Sequence, residues 1–187
     1  MELVDTRDLK SLAQLSMRVR VPPRLPINKG EKMANILFLH GLESRPGGSK
    51  AKHLENLGHT VYNPAIPKWS FEESISIAQK VIDDNPVDVI VGSSRGGAVA
   101  MCVNPGSAKV VLIAPAWSHF KPSENQDIDE STMILHSRKD DIVKIQDSRK
   151  LVENFGATLI EVGDDHRMND SSALEALEEA VEWSITH

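Results

Sequence analysis

The segment Val89-Ile-Val-Gly92-Ser93-Ser94-Arg95-Gly96-Gly97-Ala98 changes character at its midpoint. Before Gly92 it is a β-branched run of the kind a buried strand requires; after Ser94 it is a run of small residues suited to a closely packed helix. The turn between them reads Gly-x-Ser-x-Gly, with Ser94 at its centre. Gly92 and Gly96 permit a sharp strand-to-helix turn that lifts the Ser94 hydroxyl above a sheet, with the positive end of the helix dipole beneath it. The alternative is a tight turn without chemistry. The flanking strand and helix favour a nucleophile.

Working outward, the same alternation recurs along the chain. Apolar strands are expected at 36–39, 60–62, 87–91, 109–114, 132–136 and 158–162. Helices are expected at 49–57, closed by Gly58, at 71–84 after the capping box Ser70-Phe-Glu-Glu73, and at 95–103. Two more are expected at 145–155, ended by Gly156, and at 171–185, where Leu174, Leu177, Val181 and Ile185 recur at helical spacing. Six apolar strands alternating with helices specify an α/β three-layer sandwich with a mostly parallel sheet covered on both faces. In such sheets sites form beyond the carboxyl ends of the strands, so the residues just after each strand carry the functional question.

A serine hydroxyl needs a base, and after such an elbow the order is Ser, then acid, then His. Of seven histidines, His166 in Val162-Gly-Asp-Asp-His166 follows the sixth strand and is the expected base. After the fifth strand Asp140 and Asp141 compete; in proteins with such an elbow the acid stands in Asp-x-x-Val, a spacing that Asp140 and Val143 satisfy and Asp141 does not. Asp164 and Asp165 are expected to cap or solvate the histidine's own turn. A tetrahedral intermediate needs two backbone N–H donors, assigned to Arg95, directly after the nucleophile, and to Leu42 in the loop after the first strand. His40 is expected to bond within that loop. Arg95 has two readings of equal weight: contact with an acidic group of the substrate, or cover for the elbow with an acidic neighbour. Trp117 is expected near an acyl pocket, with Trp69 and Trp183 as packing or rim residues.

Together Phe38-Leu-His-Gly41, Gly92-x-Ser94-x-Gly96, Asp140-x-x-Val143 and Gly163-x-x-His166 resemble the α/β-hydrolase superfamily, across essentially all of residues 33–187. Within it, Ser44-x-Pro46, Ser49-Lys50 and Val91-Gly-Ser-Ser94 look like the compact YqiA-like esterases. Glu43, Arg45 and Arg95 depart from that subgroup. The resemblance implies a serine hydrolase acting on carboxylic esters or thioesters. Two alternatives stay open: an amidase or peptidase with the same triad, and a non-catalytic ligand-binding protein that keeps the fold. Larger hydrolases carry a lid between the fourth and fifth strands. Here Ala114 to Glu130 is only 17 residues, enough for a loop and one short helix, so a minimal, lidless fold with an open site for short acyl groups is expected.

Composition narrows the rest. The 187 residues are 40% hydrophobic and 26% charged, as in globular proteins. Residues 1–32 hold seven Lys/Arg and four Asp/Glu, a net of +3; residues 33–187 hold fourteen and twenty-three, a net of −9. An acidic body argues against nucleic acid as partner, and no apolar run reaches the length of a membrane span. Cys102, the only cysteine, excludes an intramolecular disulfide and fits a cytoplasmic setting; it is read as a small core hydrophobe. Composition shifts at Met33. Residues 1–32, with Pro22, Pro23 and Pro26, resemble the translation of a transfer-RNA gene upstream of a reading frame, so they are expected to be a flexible extension or a mis-called start, with at most a short helix over Leu3–Leu15. Gly41-x5-Gly47-Gly48-Ser49-Lys50 lacks the Gly-Lys-Ser/Thr order of a phosphate-binding loop. No cluster has metal-ligand spacing, so neither metal nor other cofactor is expected. The expected partner is a small-molecule acyl substrate, and the sequence sets no oligomeric state.

Overall fold

The computed structural model describes residues 32–120 and 127–187. The expected helix over Leu3–Leu15 and the rest of residues 1–31 lie outside the described residues. Six strands alternate with helices: β1 (Asn35–Leu39), α1 (Ser49–Asn56), β2 (Thr60–Tyr62), α2 (Phe71–Asp84), β3 (Val89–Ser93), α3 (Arg95–Ala100), β4 (Lys109–Ile113), α4 (Trp117–Phe120), β5 (Met133–His136), α5 (Ile145–Phe155), β6 (Thr158–Glu161) and α6 (Ser171–Thr186). The strand order is β2-β1-β3-β4-β5-β6. Every pairing is parallel, so the sheet is wholly rather than mostly parallel.

Because strand side chains alternate between faces, each strand feeds two cores. Ile36, Phe38, Val91, Val111, Ile113 and Leu135 pack against α1 and α6, through Leu54, Leu177 and Val181. Leu37, Leu39, Ile90, Leu112 and Ile134 pack against α2, α3 and α5, through Ala78, Val99 and Leu151. The central strands are buried on both sides, which is why they read as unbroken apolar runs. The buried stripe of α6 consists of Ala173, Ala176, Leu177, Ala180, Val181 and Ser184. It is smaller than the leucine periodicity suggests, and Leu174 is only partly buried.

Local signals act where the sequence places them. Ser70 accepts a hydrogen bond from the Glu73 amide at 3.1 Å, capping α2. Gly156, at φ 74°, closes α5. Several boundaries differ from expectation; β3, expected at 87–91, runs two residues later, from Val89 to Ser93. β4 stops at Ile113 because Ala114 turns to φ 43°. The elbow helix ends at Ala100, with Met101 as its cap. Thr132 lies in a turn, its amide bonded to the Asp129 carbonyl, so β5 begins one residue later. The short helix allowed between β4 and β5 is α4; residues 121–126 of that connection lie outside the described residues.

The chain runs from β1 outward to β2, then returns to place β3 on β1's other side. This switch point separates the loops following β1 and β3, opening a crevice above their carboxyl ends. Truncating Leu112, fully buried in β4, is expected to cost about 2–5 kcal/mol in urea denaturation. Trp69→Ala, at a side chain 87% exposed, should change stability by no more than about 0.5 kcal/mol.

Candidate active site

At the β3–α3 turn Ser94 adopts φ 54°, ψ −116°, a conformation that costs a non-glycine residue roughly 1–3 kcal/mol. Packing holds it there. The Ser94 amide donates to the Ile113 carbonyl at 2.8 Å, and the Ser94 carbonyl accepts from the amides of Gly97 and Ala116 at 2.9 and 3.0 Å. The glycines are required by close approach. A Cβ on Gly92 would lie 2.6 Å from the Gly96 carbonyl oxygen, and one on Gly96 would collide with the Leu39 and His40 carbonyls.

The structure brings Ser94, His166 and Asp140 together from the ends of β3, β6 and β5. The Ser94 hydroxyl donates to His166 Nε2 at 2.9 Å. His166 Nδ1–H donates to Asp140 Oδ2 at 2.7 Å. Asp140 has a fully buried side chain. Its other oxygen accepts the amides of Ile142 at 2.9 Å and Val143 at 2.8 Å. The last bond is the physical content of the Asp-x-x-Val spacing: the carboxylate closes a turn onto the amide three residues on. Burial pushes the Asp140 carboxyl upward, but hydrogen bonds from His136, His166, Val143 and Ile142 outweigh it and hold the group well below the usual carboxylate range. Asp141 is exposed.

Sequence reasoning missed His136. Fully buried at the end of β5, it donates from Nε2 to Asp140 Oδ2 at 3.1 Å, with the Val143 carbonyl at 3.0 Å. Its Nδ1 accepts the Ser148 hydroxyl at 2.7 Å. The Asp and His loops are also tied to one another. Ser137 Oγ donates to the Gly163 carbonyl at 2.7 Å, and Lys139 pairs with Asp164 at 2.6 Å. Arg138 and Arg149 both bond Glu161 at the end of β6. Asp165 caps the histidine turn, accepting the Met168 amide at 3.0 Å.

Leu42 and Arg95 line the same cleft as Ser94 and His166, a hollow of about 550 Å³. The loop after β1 turns tightly, with the Ser44 amide bonded to the Gly41 carbonyl. A Cβ on Gly41 would stand 3.3 Å from that of Ser94, so Leu42 follows directly on the backbone that touches the serine. Arg95 opens α3, where the first-turn amides have no intrahelical acceptor. His40 is buried and bonds within its surroundings, from Nδ1 to the Gly41 carbonyl and at Nε2 from the Ile66 amide.

Neither reading of the Arg95 side chain survives intact. It is 2% exposed and covers the elbow, but its partners are not acidic. Its guanidinium donates to the carbonyls of Pro67 and Ser70 and the hydroxyl of Ser74, at 2.8–2.9 Å. It also lies 5.6 Å from the ring centroids of Phe71 and Phe120, which stack on one another. Burial lowers its pKa. Trp117 is not at the cleft: its indole N–H bonds the Asp147 carbonyl at 3.1 Å, and Ala116, His119 and Phe120 line the cleft instead. Trp183 stacks on His187. Cys102 is half-buried, its thiol pushed up to about 11 by burial and Asp127.

Fold and elbow together define a member of the α/β-hydrolase superfamily. The chain belongs to the serine hydrolase family, whose model matches residues 89–183, just over half of its length. Its fold is similar to that of alpha/beta hydrolase domain-containing protein 10 from mouse, at 18% identity and a TM-score of 0.66, covering 81% of this chain and 89% of that one. A hydrolase of the alpha/beta superfamily from Xanthomonas campestris pv. campestris matches at 20% identity and a TM-score of 0.66, covering 82% and 97%. The Paleococcus ferrophilus monoacylglycerol lipase matches at 18% identity and a TM-score of 0.62, covering 82% and 94%. No curated protein matches the sequence. Among the described residues no helix is long and apolar enough to cross a membrane.

Two outcomes test this geometry. The depressed Asp140 pKa means its charge contributes stability that is fully present above the unfolded value of about 3.9 and is lost as pH falls through the folded value. Asp140→Asn is therefore expected to be less stable than the parent at pH 7 and to lose stability less steeply below about pH 4 in urea titrations. His136→Leu strands the Ser148 hydroxyl and removes one donor from Asp140, at an expected cost of about 1–3 kcal/mol, measured by thermal unfolding.

Proposed function

We propose that this chain is a serine esterase that cleaves short-chain carboxylic esters or thioesters through an acyl-enzyme on Ser94. The observation that carries the reading is the continuous hydrogen-bond relay Ser94–His166–Asp140, at 2.9 and 2.7 Å, built on a strained elbow at the switch point of the sheet. Membership of the serine hydrolase family supports it.

In the proposed reaction His166 Nε2 takes the Ser94 proton as the oxygen attacks the carbonyl carbon. Asp140 accepts from Nδ1–H throughout, fixing the tautomer and stabilising the imidazolium. The amides of Leu42 and Arg95 hold the developing oxyanion. The imidazolium then protonates the leaving alcohol or thiol. Water, activated by the same histidine, releases the acid and restores Ser94.

Leu42 and Ile142, 37% and 62% exposed, both line the cleft. They offer an acyl chain apolar contact without enclosing it, which supports short rather than long chains. The nearer likeness to YqiA-like esterases rests on Ser44-x-Pro46 and Ser49-Lys50 after the first strand and on Val91-Gly-Ser-Ser94 at the elbow. Ser94→Ala is expected to reduce hydrolysis of 4-nitrophenyl acetate by at least about 10³-fold, to abolish labelling by a fluorophosphonate, and to leave the circular dichroism spectrum unchanged. Wild-type protein that neither turns over esters nor takes the label would instead support a non-catalytic binding protein. Faster turnover of anilides than of matched esters would support an amidase.

A further inference from the structure

The charge of the cleft runs against the charge of the molecule. Residues 33–187 carry a net of −9. Yet among the described residues lining the cleft, the cations Lys50, Arg95 and Arg167 face a single carboxylate, Glu43. Glu43 is already paired with Lys68 at 3.1 Å. Arg95 is 2% exposed and held through Nη2 by the carbonyls and hydroxyl beneath the elbow. Lys50 and Arg167 are left.

Lys50 stands in the first turn of α1, half-buried. Its ammonium donates to the Arg167 carbonyl at 2.5 Å and to Asn169 Oδ1 at 3.2 Å. Both acceptors are neutral, so two of its three N–H groups are used while no carboxylate among the described residues pairs with its charge at contact distance. Among the described residues Asp165 acts on it at longer range and raises its pKa, but burial outweighs this and draws the pKa down to about 8. Holding a cation in this state is costly unless an anion completes it. Arg167 follows the base His166 directly, is exposed, and carries a planar donor fork suited to a carboxylate. Both residues line the cleft that contains Ser94.

We propose that Lys50 and Arg167 form an anion-recognition subsite, and that the esters this enzyme cleaves best carry a carboxylate near the scissile bond. The inference rests on the esterase reading of Ser94. The shared chemistry is a carboxylate; whether it belongs to the acyl or the alcohol half is decided by two pairs of substrates. In the first, the 4-nitrophenyl monoester of glutaric acid is compared with 4-nitrophenyl butyrate. In the second, 3-acetoxybenzoate is compared with phenyl acetate.

With the full chain, the anionic member of one pair is expected to exceed its neutral partner by about tenfold in kcat/KM, equivalent to about 1.4 kcal/mol. That pair identifies the half. Lys50→Met and Arg167→Gln are each expected to reduce this ratio at least about threefold. Because the readout is a ratio within one variant, a general loss from disturbing the His166 loop cancels. The preference should also shrink between about 0.05 and 0.5 M salt. Hydrolysis of the neutral esters with a ratio at or below one in both pairs would overturn the subsite and leave the esterase reading standing. So would a preference that both variants retain in full. Absence of ester hydrolysis together with absence of fluorophosphonate labelling would overturn both.

Discussion

The contact between α3 and the first two central strands is so close that only glycine fits. The backbone of Gly96 lies against the Leu39 and His40 carbonyls, and Gly92 lies against Gly96 and Gly97. With the helix this near, the chain has no room for an ordinary turn, and Ser94 is driven to φ 54°. The strain is held by a parallel sheet in which all four central strands are buried on both faces. A less cohesive scaffold would relax the turn, and the serine would lose its place above the strand ends. The position of Ser94, the position of the loop after β1 and the start of α3 thus follow from one packing constraint.

A second buried centre organises the other half of the site. Asp140 gathers two histidines and two amides onto one carboxylate, drawn from the end of β5, the loop after β5 and the loop after β6. Satisfying all of them fixes the loop after β5 with little freedom, and Ser137 and Lys139 carry that order into the loop after β6. A buried carboxylate without such donors would be protonated or would pull the loop toward water. Here the network makes ionisation the favoured state, which is the state in which it can orient an imidazole.

The same economy does not extend to the cations. Arg95 is surrounded by neutral oxygens and two aromatic faces, and Lys50 by a carbonyl and an amide oxygen. Aromatic faces and oxygen dipoles offset part of the cost of burying a guanidinium, and they leave the local potential positive. In an acidic molecule, the described lining of this crevice holds three cations and one carboxylate, a balance that on the proposed reading favours anionic substrates.

The sequence by itself determined the elements and the order of the chemical groups. Strands and helices are local: the β-branched runs, the Ser70 cap and the Gly156 terminus act within a few residues of themselves. Asp140 could be separated from Asp141 because the turn that selects it spans only three residues, to Val143. Tertiary structure alone decided the rest. His136 looked like the last residue of a strand, and its bond to Asp140 exists because the loop after β5 folds back onto it. Arg95 reaches acceptors 21–28 residues away, and Lys50 reaches Arg167 across 117. Separations of that size leave no periodicity in a sequence. Which neutral oxygens surround a cation, and which cation is left for a substrate, is settled only when the sheet brings distant loops to one edge.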